Sequence, residues 1–204
     1  KEKVKTIAVT GSNGKTTVKE MITAILAVDA KVLSTKGNLN NEIGVPLTLL
    51  TLQQKHQFAV VEMGANHAGE IKYSSQYAKP DIAVITNVGA AHIEGFGSLE
   101  GTAKAKAEII QGLTAEGIAV LNKDDAFYQL WLEIAAARKV VSFGLNENAD
   151  IRAEDIISAV EHKQFVTRFT LLTATNEIDI QLKLAGQHNV NNALAAAACC
   201  LSVG

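Results

Sequence analysis

The sequence is short of the residues that mark specialised chains. Of its 204 residues only two are cysteine, two are proline and one is tryptophan. The cysteines, Cys199 and Cys200, are neighbours in an alanine-rich stretch, which excludes a disulfide framework and a CxxC metal site and leaves buried small residues as their reading. No apolar run approaches the roughly 18 residues needed to span a bilayer, and the first residues hold no signal-peptide core. Lys and Arg number 19 against 21 Asp and Glu, a net charge of -2, so no basic field advertises nucleic acid or an anionic membrane. The expectation is a cytoplasmic protein with no nucleic-acid partner and no membrane insertion.

What is present is an ordinary globular balance, 48% hydrophobic and 20% charged. Short apolar runs alternate with helical patterns. Thr6–Thr10, Phe58–Met63, Ile82–Thr86, Ile118–Leu121 and Val140–Phe143 read as strands without polar alternation, the pattern of a sheet buried on both faces. Val18, Met21, Ile22, Ile25 and Leu26 share a face of a helix after the first strand, and Phe127, Leu130, Trp131 and Ile134 mark another. From Ile151 to Leu184 the pattern becomes strand-like, with period-two alternation over Phe165–Leu172 and Ile178–Leu184 and a turn at Thr175-Asn176-Glu177. That predicts a small antiparallel extension packed onto a mostly parallel sheet flanked by helices. A helix over Asn189–Leu201 closes the chain. The chain starts almost on its first strand and stops soon after a helix, which suggests one domain over 1–204 cut from a longer protein.

Gly11-Ser12-Asn13-Gly14-Lys15-Thr16-Thr17 lies between the first strand and its helix. Backbone N–H groups in such a turn and at the helix N-terminus point at an anion, and the helix dipole adds to the field. Lys15 would reach the β- and γ-phosphates of ATP, and the Thr16 hydroxyl would ligate Mg²⁺. GxxxxGK[ST] requires glycine at position 9, where Val9 stands, so this is the shorter GxxGKT form. A chance glycine turn with an exposed lysine is the competing reading. Mg²⁺ on a triphosphate needs further oxygen ligands. Glu62 ends an apolar strand at the carboxyl edge, where open α/β sheets bind ligands; judged alone it could be a solvated glutamate. His92 lies in the loop after the third strand and judged alone reads as a surface or core histidine. His56, His67, His162 and His188 have less support.

GSNGKTT, GNLNNEIGVP (37–46), VVEMGANHAGEI (60–71), TNVGAAHIEGFGS (86–98), AKAKAEI (103–109) and GQHNVNNALAA (186–196), in this order, resemble the Mur ligases, cytoplasmic enzymes of peptidoglycan precursor synthesis. EMGANHAGEI and AHIEGFGS favour the branch that joins D-Ala-D-Ala to UDP-N-acetylmuramoyl-tripeptide. The resemblance implies the family's central ATP-binding domain. It implies that Lys15 contacts ATP phosphate, that Thr16 and Glu62 hold Mg²⁺, and that His92 serves a second Mg²⁺. Lys106 matches the lysine that becomes carbamylated and would ligate that second metal, although Lys104 stands two residues away and an exposed helix lysine is the plain alternative. Asn189 and Asn192 match an HNxxN motif on the adenosine side, with N-capping as the alternative for Asn189. Asn122-Lys123-Asp124-Asp125 could also border the nucleotide.

The implied reaction has a substrate carboxylate attack the γ-phosphate, giving an acyl phosphate, and the amine of D-Ala-D-Ala then displace phosphate. A monomer is expected. The family's N-terminal domain for the UDP-sugar and C-terminal domain for the amine have no counterpart in these residues, so little activity is expected of the chain alone. Other Mur-type and folylpolyglutamate-type ligases share the phosphate loop, but EMGANH and HIEGFG fit them less well. A switch or motor ATPase would need an hhhhDE strand or an NKxD motif, and the sequence offers neither, NKDD placing its first aspartate one residue early. A nucleotide-binding module without catalysis is the third reading.

Overall fold

A computed structural model describes residues 4–89 and 93–203, with the backbone alone at 93 and 94. In chain order the elements begin β1 (Lys5–Thr10), α1 (Lys15–Leu26), β2 (Val32–Ser34), α2 (Gly44–Leu50), β3 (Phe58–Glu62), α3 (Glu70–Ala78) and β4 (Ile82–Ile85). Then come α4 (Ile93–Phe96), α5 (Leu99–Gln111), β5 (Ile118–Asn122), α6 (Tyr128–Ala135) and β6 (Lys139–Gly144). β7 (Ile151–Glu161), β8 (Gln164–Leu172), β9 (Glu177–Leu182) and α7 (Gln187–Ser202) complete the described fold.

The strands form one sheet in the order β2-β3-β1-β4-β5-β6-β7-β8-β9. Every pair from β2 to β7 is parallel, and β7-β8 and β8-β9 are antiparallel. The antiparallel part is not stacked on the sheet. It continues it edge to edge, because β7 pairs with β6 through Phe143↔Ile151 before turning into the hairpin. The β8–β9 loop covers 173–176, so Glu177 opens β9.

Alternation within the buried strands builds two cores, one on each face. Ile7 and Val9 of β1 pack with Val18 and Ile22 of α1 and with Val190 and Leu194 of α7. Ala8 points the other way, into a core with Ile71 of α3, Ile109 of α5 and Trp131 of α6. Each such aliphatic side chain removed from water contributes about 1.5–3 kcal/mol. One residue departs from the expected α1 stripe: Ile25, in the helix's last turn, is 47% exposed. Cys199 is buried in the first core and both cysteines are free thiols. No helix among the described residues is long and apolar enough to cross a membrane.

Strand order reverses at β1. Its neighbours β3 and β4 lead the chain to opposite sides, and their carboxyl ends flank a crevice, the place where open α/β sheets take ligands.

Candidate functional site

The phosphate-type loop sits in that crevice. Gly14 precedes α1 with φ 81°, and Gly11 has φ 149°. A Cβ on Gly11 would lie 1.8 Å from Thr86 Oγ1, and one on Gly14 would lie 2.3 Å from Asn192 Oδ1. Both positions therefore need glycine for conformation and for space. No side chain caps α1, and its first turn, Lys15-Thr16-Thr17, carries no acid, so the helix presents free N–H groups and the positive end of its dipole to the crevice.

The loop is gripped by the start of the β4–α4 connection. Asn87 Oδ1 accepts from the Asn13 N–H at 3.0 Å, while Thr86 Oγ1 (2.6 Å) and Asn87 Nδ2 (3.1 Å) donate to the Asn13 carbonyl. The Ser12 N–H donates to the Asn87 carbonyl at 2.9 Å, and Ser12 Oγ to the Gly89 carbonyl at 3.4 Å. That connection is itself braced by the end of β5 and the turn after it: Asn122 Nδ2 donates to the Thr86 carbonyl (2.8 Å), and Asp125 Oδ2 accepts from the Val88 N–H (2.7 Å).

Glu62 ends β3 beside the loop and is only 2% exposed, which removes the solvated-glutamate reading. Its Oε2 accepts from Thr16 Oγ1 at 3.0 Å and its Oε1 from Asn40 Nδ2 at 2.8 Å. Asn40 is fixed in turn, because its carbonyl accepts from the Gly64 N–H at 2.7 Å. Lys15 folds back on the loop, Nζ donating to the Gly11 and Ser12 carbonyls at 2.8 and 3.1 Å. Burial lowers its pKa, and the nearby Glu62 charge opposes that.

α5 brings Lys106 to the same place. Ser98 caps that helix, its Oγ accepting from the Gly101 N–H at 2.9 Å, and a run of small residues lets α5 pack closely. Lys106 is 3% exposed, with Nζ 5.9 Å from the Phe96 ring centroid. Burial, and after it the Lys15 charge, pulls its amine down to about 8. Among the described residues no carboxylate lies within ion-pair distance of it. Lys104, by contrast, is 58% exposed and pairs with Glu100 at 2.7 Å. The exposed-lysine alternative therefore describes Lys104. His92 lies outside the described residues.

On the other side of Gly14 a cavity of about 670 Å³ opens, lined among others by Thr17, Asn122, Phe143, His188, Asn189 and Asn192. Its size is that of a small-molecule site, with an aromatic wall and a few convergent amides. Asn189 and Asn192 face each other, Asn192 Nδ2 donating to Asn189 Oδ1 at 3.2 Å. The N-capping alternative for Asn189 fails: Gly186 is the cap, and Asn189 Nδ2 donates to the Ala185 carbonyl at 2.7 Å. Of NKDD only Asn122 lines the cavity. Asp124 instead accepts from the Leu145 and Asn146 N–H groups at 2.7 and 2.9 Å.

The family described as the Mur ligase middle domain matches residues 9–200. The chain belongs to this family. As a Mur ligase middle domain it is 49% identical over 199 residues to the UDP-N-acetylmuramoyl-tripeptide--D-alanyl-D-alanine ligase of Escherichia coli (strain K12), covering 97% of this chain and 43% of that protein. The enzyme of the same name from Haemophilus influenzae is 46% identical over 204 residues, 98% of this chain and 43% of that protein. Among solved structures, MurF from Acinetobacter baumannii superposes with a TM-score of 0.94 at 43% identity, covering 98% of this chain and 43% of that one. MurF from Thermotoga maritima, solved in complex with ADP, gives 0.87 at 31% identity, over 98% of this chain and 46% of that one. This Mur ligase middle domain thus spans a little under half the length of such relatives.

Asn40, Thr86 and Asn87 were missed as site residues by the sequence reading, although all three fall inside phrases that carried the resemblance. Their signal is the short amide and hydroxyl side chains near loop glycines; Thr86 and Asn87 satisfy backbone groups of the phosphate loop, and Asn40 satisfies the Glu62 carboxylate. The described residues include no group of three or more His, Cys, Asp or Glu side chains that could hold a metal. A cation here would have to be taken by a mixed set. The neighbouring Thr16 hydroxyl and Glu62 carboxylate are hard oxygen donors of the kind Mg²⁺ selects, so the residues fit that ion.

Proposed function

We propose that this chain is the ATP-handling domain of a ligase that joins D-alanyl-D-alanine to UDP-N-acetylmuramoyl-tripeptide in peptidoglycan precursor synthesis. The observation that carries the reading is the Thr16–Glu62 contact of 3.0 Å beside the free N-terminus of α1. In a nucleotide-binding crevice a buried carboxylate joined to the loop threonine is a metal-binding pair, and the branch of the family follows from the relatives' names.

In this reading the free N–H groups of 14–17 bind the phosphates, and Lys15 leaves the Gly11 and Ser12 carbonyls to reach the β- and γ-phosphates. Asn189 and Asn192 orient the nucleoside in the 670 Å³ cavity, against Phe143. Thr16 and Glu62 would hold Mg²⁺, with His92 and a carbamylated Lys106 at a second position, and the bound cations would supply positive charge against the transferring phosphoryl group. Lys106 suits carbamylation because its lowered pKa leaves part of the amine neutral near pH 7. The nitrogen lone pair adds to CO₂, an N–C bond forms and a proton is lost, so a cation becomes an oxygen donor. The substrate carboxylate then attacks the γ-phosphorus with loss of ADP, and the D-Ala-D-Ala amine displaces phosphate from the acyl phosphate, forming the amide. UDP-sugar and amine binding fall to N- and C-terminal domains within the remaining length of the relatives. A monomer in the bacterial cytoplasm accompanies the reading.

The test is phosphate release from ATP by the full-length protein, with Lys15→Ala as control. Release that requires both UDP-muramoyl tripeptide and D-Ala-D-Ala is expected. Release indifferent to the two substrates rules the ligase reading out.

A further inference from the structure

The buried face of α1 contains a charge that the phosphate loop does not explain. Lys19 follows Thr16 by three residues, one helical turn on, and is 1% exposed. Taking an ammonium out of water is expensive, and a hydrophobic residue of similar volume is often as good or better for stability at such a position. Its ion pair, Nζ to Glu20 Oε1 at 2.7 Å, involves a carboxylate that is 63% exposed, and pairs of that kind contribute little. The specific contact is the other one: Lys19 Nζ donates to the Thr35 carbonyl at 2.9 Å.

Thr35 follows β2 and is buried. Its N–H donates to the Val60 carbonyl at 3.0 Å, and its Oγ1 accepts from the Glu62 N–H at 3.0 Å. Helix α1 therefore reaches Glu62 twice. Thr16 holds the carboxylate directly, and Lys19 holds the peptide behind it through Thr35.

We propose that Lys19 is a positioning residue, which fixes the Glu62 backbone through Thr35 so that the carboxylate stays aimed at the Thr16 hydroxyl. The proposal rests on the reading that Thr16 and Glu62 hold the nucleotide's Mg²⁺. Lys19 makes its contribution from behind the strand end, and the loss of such supporting contacts typically costs about 10- to 100-fold in metal affinity.

The experiment uses the full-length protein and a non-hydrolysable ATP analogue, with affinity measured by calorimetry as Mg²⁺ is titrated. Lys19→Met and Thr35→Val are each expected to raise the Mg²⁺ concentration for half-maximal binding by roughly 10- to 100-fold. Affinity without Mg²⁺ stays at the wild-type level, and Lys19→Arg recovers part of the loss. In a Glu62→Ala background neither substitution has a further effect. A general loss of structure would lower binding with and without Mg²⁺ alike. An unchanged Mg²⁺ requirement in folded Lys19→Met overturns the proposal, as does a loss that persists undiminished in the Glu62→Ala background. If Lys19→Met does not fold, Lys19→Gln takes its place, and an unchanged Mg²⁺ requirement there overturns the proposal. Thr35→Val keeps the carbonyl that Lys19 bonds and tests the second link, from the Thr35 hydroxyl to the Glu62 N–H. Should the wild type bind nucleotide with no dependence on Mg²⁺ or on Glu62, the metal-site reading fails first and the Lys19 assignment with it.

Discussion

The amide oxygen of Asn192, on the last described helix, fills the space beside Gly14 at the start of the first, 2.3 Å from where a Cβ would stand. Gly14→Ala must therefore displace Asn192 and also hold alanine at φ 81°. The left-handed conformation alone costs about 1–2 kcal/mol. ATP affinity of the full-length variant, measured by calorimetry, is expected to fall by at least about tenfold, which corresponds to 1.4 kcal/mol. Wild-type affinity would contradict the packing described.

Asn40→Ala removes the donor from Glu62 Oε1 and leaves that buried oxygen without its 2.8 Å partner. An unsatisfied buried polar group costs about 1–3 kcal/mol. Urea denaturation should show a loss in this range, and the Mg²⁺-dependent part of nucleotide binding should weaken with it.

The Lys106 amine titrates at about 8, below its ordinary 10.5, because burial and the Lys15 charge disfavour its cation. Below pH 8 both folded and unfolded chains carry the proton, and the fold bears the full cost of burying it. Between 8 and 10.5 the unfolded chain binds more protons, so this contribution to stability rises with pH. Lys106→Met is expected to be more stable than wild type at pH 7 in CO₂-free, metal-free buffer, with the gap closing towards pH 10. Denaturant midpoints at the two pH values check this. A gap that stays constant with pH contradicts it.

Glu108 accepts from the Gly69 and Lys72 N–H groups at 2.7 and 3.0 Å, so a side chain of α5 caps α3. Glu108→Ala should fray that first turn at a cost of about 1 kcal/mol. Hydrogen exchange at 69–72 should speed up while exchange in β1 and β4 does not.

Trp131 is fully buried, and its Nε1 donates to the Ala103 carbonyl at 3.1 Å, joining α6 to α5. Trp131→Ala should destabilise the protein by about 3–5 kcal/mol in chemical denaturation. Since Trp131 is the one tryptophan in the 204 residues, wild-type fluorescence reports directly on this seam.

The central strands were legible because each is an apolar run long enough to be buried on both faces. β2, α2 and α3 went unmarked, and β7 was covered only by the broad strand-like reading of 151–184. β2 has three residues, and α2 (GVPLTLL) carries a proline in its first turn and leucines that stay exposed. β7 has a register shift between Glu154 and Ile157, with Asp155 at φ 53°, which interrupts its alternation. At the site, Lys15 and Thr16 could be named from the GxxGKT spacing and Glu62 from its place at a strand end, while Lys106 was implied by the resemblance to the Mur ligases. Asn40, Thr35 and Thr86 could not, since their partners (the Glu62 carboxylate, the Glu62 N–H and the Asn13 carbonyl) are far away in sequence and no periodicity encodes that. Lys19 did leave a trace: it is a charge between Val18 and Ile22 on the buried side of α1.

The pairing of Gly14 with Asn192 also orders events during synthesis. A ribosome that has delivered α1 to β6 has made the whole phosphate loop, Glu62 and Lys106, yet the wall formed by His188, Asn189 and Asn192 is still missing. α7 also supplies Val190, Leu194 and Ala198 to the core over β1 and β4. Completion of the 670 Å³ cavity and of that core therefore falls in the same stretch of translation, and a nascent chain gains the cavity only when it can also complete that core.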